Sequence, residues 1–200
     1  LSQIVGNKSF HFSHLSDHER LLKSEAERLD SQYFAHEGFQ VGPDSVVVDI
    51  GAFLWITSIL AAQRAKKVYA IEPSPRIQPY LKRNISQFDN VEFLPYAVWN
   101  ETSEITLQLG KHTSEDSLIT PDDGGVDEEV TVQAYTIEDF SEELGLSTID
   151  FLKIEAEGVE EEVIEGIGEL DIDKVVVSAT AEREGKFVYE EVSELLEAKG

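Results

Sequence analysis

Three short constellations in this chain carry residue types suited to chemistry. The apolar run Val46-Val47-Val48 ends in Asp49-Ile50-Gly51-Ala52. A second apolar run, Val68-Tyr69-Ala70-Ile71, ends in Glu72-Pro73, about 20 residues after the glycine turn. The third is Lys153-Ile154-Glu155-Ala156-Glu157-Gly158. A turn that leaves a strand through glycine and enters a helix aims backbone N–H groups and the positive helix end at a ligand, which suits a carboxylate or phosphate. A carboxylate closing the next strand can accept both hydroxyls of a ribose. Lys153, Glu155 and Glu157 alternate, so a two-residue period projects a cation and two acids to one side. There they could orient a hydroxyl, take its proton or hold a cation.

These residues need a frame that brings strand ends together. Residues 46 to 50 are continuously apolar except for Asp49, as expected of a strand covered on both faces, and a helix is expected over Thr57 to Ala65. A strand over 67 to 72 leads to Ser74-Pro75, read as a cap and first-turn proline opening a helix through about Ile85. Val91 to Leu94 form a third strand. Strand and helix in alternation predict a mostly parallel α/β sheet with helices on both faces. Glu104 to Gln108 and Val130 to Ala134 alternate instead with period two, predicting an inserted antiparallel pair. Pro121-Asp122-Asp123-Gly124-Gly125 reads as a hairpin loop. Thr136 caps a helix stopped at Gly145. The rhythm resumes with a strand over Ile149 to Ile154, a helix led by Gly158 with Glu160, Glu161 and Glu162 in its first turn, and a strand over Lys174 to Ser178. Val188, Val192, Leu195 and Leu196 mark a last amphipathic helix. Such a sheet would ordinarily continue past Gly200, with a partner for its edge otherwise. Residues 1 to 40 hold one helix start, Ser16-Asp17-His18-Glu19 ahead of Leu21, Leu22 and Ala26, and read as a flanking or lid segment. Residues 41 to 200 read as a single domain.

Composition narrows the function classes. Forty acidic against 16 basic residues leave a formal charge of -24, which repels phosphate backbones and anionic lipid. Neither nucleic acid nor a membrane surface is expected as a partner. The excess also matches a surface adapted to high salt, where screening removes self-repulsion. The absence of cysteine excludes disulfides, thiolate metal sites and cysteine nucleophiles. No apolar stretch reaches the roughly 18 residues of a membrane span, and Leu1-Ser2-Gln3 opens no signal sequence, so a cytoplasmic location is expected. His11, His14 and His18 do not share a helical face, and no metal site is expected of them. His112 reads as a solvated loop residue or a base over the crevice.

The order DIGA, YAIEPSP, VEFLPYAVWNETSEITL, a Thr-x-Glu-Asp helix and IDFLKIEAEGVEEEVIEG resembles the FkbM family of methyltransferases over roughly residues 40 to 180. Asp49 before Gly51 is similar to the first motif of enzymes that use S-adenosyl-L-methionine, and LKIEAEGVE parallels the family's I-K-I-D-V-E-G-x-E. The resemblance implies a methyltransferase-type Rossmann-like sheet, S-adenosyl-L-methionine as cofactor, and O-methylation of a small-molecule acceptor such as a sugar or natural product. Carried over, it puts Asp49, Gly51 and Ala52 at the methionine end, Glu72 and Pro73 at the ribose, and Tyr96 and Ala97 near the adenine. Lys153, Glu155 and Glu157 fall near the acceptor as the catalytic group.

The turn departs from the family at two positions, with Phe53 and Trp55 where small residues are usual, and Glu155 replaces an aspartate. Glycine serves where backbone must approach a ligand, so two aromatics there leave two outcomes open. Trp55 could turn into the core and leave the hollow usable, or fill it and leave a non-catalytic methyltransferase fold. A nicotinamide enzyme shares the layout of the two strands, but Gly51 alone does not make the G-x-G-x-x-G turn it needs.

Overall fold

The computed structural model describes residues 2–5, 8–11, 23–34, 37–111, 116–119, 126–179, 182–183 and 186–199. The chain opens with an antiparallel pair, β1 (Ser2–Val5) and β2 (Lys8–His11), and helix α1 (Lys23–Tyr33). The α/β part then runs β3 (Val46–Ile50), α2 (Ile56–Ala62), β4 (Lys67–Ile71), α3 (Gln78–Ile85) and β5 (Val91–Leu94). Short β6 (Ala97–Val98), β7 (Ser103–Gly110) and β8 (Val126–Tyr135) follow, then α4 (Ile137–Leu144). The last part runs β9 (Thr148–Ile149), β10 (Phe151–Ile154), α5 (Glu160–Glu165), β11 (Asp171–Ile172) and β12 (Val175–Val177). A small pair, β13 (Glu182–Arg183) and β14 (Lys186–Phe187), precedes α6 (Tyr189–Lys199).

The central sheet has the order β12-β10-β3-β4-β5, and all four pairings are parallel. From β3 the chain builds outward through β4 to β5, then returns to the opposite side of β3 to lay down β10 and β12. The order therefore reverses between β3 and β10, where open α/β sheets leave a crevice at the carboxyl ends of their strands. The β-branched run Val46-Val47-Val48 suits this position because stiff side chains pack well on a pleated sheet. Successive residues face opposite ways. Val47, Val68 and Phe151 pack with Tyr33, Phe34, Ala61 and Ala62 from α1 and α2. Val48, Tyr69 and Leu152 pack with Ile137, Phe140, Val163 and Val192 from α4, α5 and α6.

The expected inserted pair is present, with β7 antiparallel to β8, and β6 adds a third, parallel strand to it. Thr136 caps α4 by accepting from the Asp139 N–H at 3.0 Å, and Gly145 ends that helix at φ 68°. Three expectations need correction. The helix expected from Pro75 begins only at Gln78, with Pro79 in its first turn. Ser74 does not cap it through its side chain, because its hydroxyl donates to Asp116 Oδ2 at 2.5 Å. The strand expected over 149 to 154 is split at Asp150, whose Oδ2 accepts the Val46 N–H at 2.7 Å. The Ser16 to Glu19 cap with Leu21 and Leu22, His14, His18, His112 and the Pro121 to Gly125 loop lie outside the described residues.

Gly51 is required by the sheet itself. Its φ of 72° lies in the left-handed region, and a Cβ there would sit 1.8 Å from the Glu155 carbonyl oxygen. Gly51→Ala is expected to lower unfolding free energy by more than about 2 kcal/mol, from the backbone conformation and this clash together. A urea denaturation midpoint equal to that of the parent chain would refute the assignment.

Candidate functional site

A cavity of about 300 Å3 opens over the carboxyl ends of β3, β4 and β10. Gly51, Ala52, Glu72, Pro73, Tyr96, Ala97, Lys153, Glu155 and Glu157 all line it. Asp49 does not, and its expected place at the methionine end needs correction. It is 1% exposed behind the wall, and its carboxylate serves the frame. Oδ2 accepts from the Thr57 and Ser58 hydroxyls at 2.7 and 2.6 Å, and Oδ1 lies 3.0 Å from Lys153 Nζ.

Lys153 stands opposite Asp49 in the β10–β3 register and is 1% exposed. Its ammonium also donates to the carbonyls of Ile50 at 3.2 Å and Gly51 at 2.9 Å, and pairs with Glu155 Oε2 at 3.3 Å. Burial alone would pull its pKa down, but the carboxylates of Asp49 and Glu155 more than reverse this and hold it above the ordinary lysine value. Lys153 is thus a fixed cation and not a proton acceptor. Glu155 shares its Oε2 with the Tyr33 hydroxyl, which donates at 3.0 Å, and burial followed by the Glu155 charge pushes the Tyr33 pKa up to about 12. Glu157 does not continue the two-residue alternation. The strand ends at Ile154, and Glu157 takes φ 50° in a turn whose Ala156 and Gly158 N–H groups donate to Glu160.

The glycine turn also differs from its expected form. Both the Gly51 and Ala52 N–H groups donate to the Ile71 carbonyl, at 3.1 and 3.0 Å, and the Phe53 N–H donates to Glu72 Oε2 at 3.0 Å. These three donors are therefore taken by the next strand instead of a ligand. Glu72 itself is 7% exposed, with Oε1 accepting the Ser74 N–H at 2.8 Å. Among the described residues it has no ion pair, and burial pushes its pKa up to about 7 against those two hydrogen bonds. The hollow remains open beside the aromatics. Trp55 is 7% exposed and packs with Leu54, Ile59, Ala70 and Leu81 while forming part of the wall. Phe53 and Trp55 hold φ values of 49° and 149°, costing of order 1–3 kcal/mol each.

Sequence reasoning did not find Arg28, Leu29 and Tyr33 of α1 or Asp116, Ser117 and Leu118. Asp116 binds Arg76, Ser74 and the Gly110 N–H, and Ser117 pairs with Gln108 and donates to the Glu157 carbonyl at 2.8 Å. Tyr33 and Glu155 lie 122 residues apart, and no local spacing connects them. Among the described residues no group of three or more potential ligands could hold a metal, and no helix is long and apolar enough to cross a membrane.

A model of the Methyltransferase FkbM domain matches residues 32–200. The chain belongs to the FkbM methyltransferase family. A crystal structure of Methyltransferase FkbM from Methylobacillus flagellatus shares the fold of this FkbM domain at a TM-score of 0.59 and 14% identity, covering 92% of this chain and 46% of that one. A precorrin-6y C5,15-methyltransferase from Geobacter metallireducens has a TM-score of 0.52 at 17% identity, covering 95% and 82%. A fibrillarin pre-rRNA processing protein of Methanococcus jannaschii has a TM-score of 0.53 at 14% identity, covering 100% and 72%. In sequence, this FkbM domain is 39% identical over 89 residues to an uncharacterized protein of Methanocaldococcus jannaschii. That match spans 42% of this chain and 30% of the relative's length.

Two outcomes follow from the site's electrostatics. Lys153→Met leaves Asp49 charged and buried without its cation, and is expected to cost about 3–5 kcal/mol, part of which Asp49→Asn in the same chain returns. Additive losses in that pair, measured by urea unfolding, would show the two residues do not act together. Because the folded pKa of Glu72 is raised, its contribution is fully present below the unfolded value near 4.5 and is lost as pH rises through about 7. The unfolding free energy of the parent chain should therefore fall relative to that of Glu72→Gln between pH 5 and pH 8, and a constant difference would contradict it.

Proposed function

We propose that this domain transfers a methyl group from S-adenosylmethionine to a hydroxyl of a small acceptor, such as a sugar or natural product. The observation that carries the reading is Glu72, a desolvated carboxylate on the cavity wall whose own contacts are two backbone N–H groups. Its oxygens keep further acceptor capacity, and a ribose diol offers two donors to such a carboxylate. The cavity also carries Asp116, Glu155 and Glu157, which favour a ligand bearing positive charge. Tyr96 and Ala97 supply an apolar wall for a base, Tyr96 being held by Tyr135 at 4.7 Å between ring centroids.

When bound, the cofactor supplies an electrophilic methyl group on a sulfonium sulfur. The chain's part is to hold the acceptor oxygen in line and to receive its proton. Glu155 suits that task, since Tyr33 and Lys153 both engage Oε2 and set the orientation of Oε1. Lys153 keeps the ends of β3 and β10 together and holds Glu155 in place. The charge of -24 supports a small-molecule acceptor over a nucleic acid.

Calorimetric titration with S-adenosylhomocysteine tests the proposal. Micromolar binding is expected at pH 8, weakening as pH falls through about 7 because protonation removes a Glu72 acceptor, with a flat pH response in Glu72→Gln. The positive-φ aromatics favour one competing reading, a fold whose cofactor hollow is closed. No heat with the parent chain but binding by Trp55→Gly would establish that reading.

A further inference from the structure

Two residues of the glycine turn hold backbone angles that a side-chain-bearing residue rarely adopts, Phe53 at φ 49° and Trp55 at φ 149°. Such angles persist only where surrounding groups force them. A peptide is planar, so holding its N–H or its carbonyl constrains the φ of the residue that follows the bond. In this turn a side chain does so at each strained residue. The Phe53 N–H donates to Glu72 Oε2 at 3.0 Å, which holds the plane before Phe53. The Leu54 carbonyl accepts from Asn84 Nδ2 at 3.2 Å, which holds the plane before Trp55. Glu72 belongs to the cavity wall, whereas Asn84 is fully buried in α3 and does not line the cavity. Its helix also packs on the turn, because Ile77, Leu81 and Ile85 share a cluster with Leu54 and Trp55.

The place of the indole depends on that second plane. Trp55 packs into the cluster and also forms part of the cavity wall. Release of the Leu54 carbonyl would let the plane turn toward ordinary negative φ and carry the Trp55 Cα–Cβ bond with it. The core side is close-packed, so the space that can admit an indole is the cavity. An open hollow and a plugged one thus differ by the orientation of one peptide. We infer that Asn84 is a positioning residue for ligand binding, keeping Trp55 in the wall and the hollow open. The inference rests on the proposed use of S-adenosylmethionine.

Calorimetric titration of the full chain with S-adenosylhomocysteine compares Asn84→Leu in two backgrounds. In the parent the substitution should weaken binding about tenfold or more, as expected when a wall side chain is misplaced by an ångström or more. In a chain carrying Phe53→Gly and Trp55→Gly, which has neither the strain nor the indole, it should change affinity by no more than about twofold. Fluorescence gives a readout without ligand. The chain has two tryptophans, so in Trp99→Phe the emission reports Trp55 alone, and Asn84→Leu should shift its maximum in the folded chain. Asn84→Ala carries both measurements if the leucine prevents folding. Unchanged affinity, unchanged emission or equal weakening in both backgrounds overturns the inference and leaves the proposed function standing. A parent chain that does not bind S-adenosylhomocysteine overturns the proposed function and this inference with it.

Discussion

The buried ammonium of Lys153 holds together the part of the sheet on which the site is built. The β10–β3 register puts it opposite Asp49, and its reach covers the last carbonyls of β3 and the first side chain after β10. Without it, the buried Asp49 carboxylate and two carbonyl oxygens would face one another with no cation between them, a cost of about 3–5 kcal/mol. Such a group is weak as a source of net stability, because desolvation consumes most of the Coulombic gain. Its effect is geometric. It ties the carbonyls at the end of β3 to the end of β10 and fixes how Glu155 is presented.

That constraint explains why the glycine turn is occupied by its own fold. Gly51 allows the Glu155 backbone to approach closely, and the turn N–H groups close onto Ile71 and Glu72. The turn is thereby stiff and satisfied, and recognition passes to side chains. Glu72 is desolvated and has no ion pair among the described residues, Asp116 is held on the cavity wall by Arg76 and Ser74, and Glu155 is held by Tyr33. Phe53 and Trp55 fit the same arrangement. With backbone donors committed, large apolar side chains at the turn line the hollow without costing it a hydrogen bond.

The flanking segments matter for the same reason. Helix α1 and the residue after it cover one face of the sheet with Tyr33 and Phe34, and Tyr33 brings a hydroxyl to the strand ends. The stretch from Asp116 to Leu118 is pinned to β7, to Ser74 in the turn before α3 and to the Glu157 carbonyl. The site is thus assembled from both sides of the switch point, by elements far apart in the chain.

The α/β rhythm, the inserted pair, the Thr136 cap and the strand ends carrying Gly51, Glu72 and Glu155 were legible from residues alone, because each depends on periodicity or on local backbone chemistry. The family was legible through LKIEAEGVE and the order of its motifs. Residue order did not show whether a carboxylate would face the cavity or the frame. Asp49 and Glu72 both close an apolar strand, yet the first meets Lys153 across the register and the second, among the described residues, meets backbone N–H groups. Nor did it show that Glu157 leaves the alternation, or that Arg28 and Tyr33 join the site. Register, burial and the partners they bring within 3 Å are properties of the folded chain, so the sequence determined where acids and glycines stand, and tertiary structure decided which of them a ligand can meet.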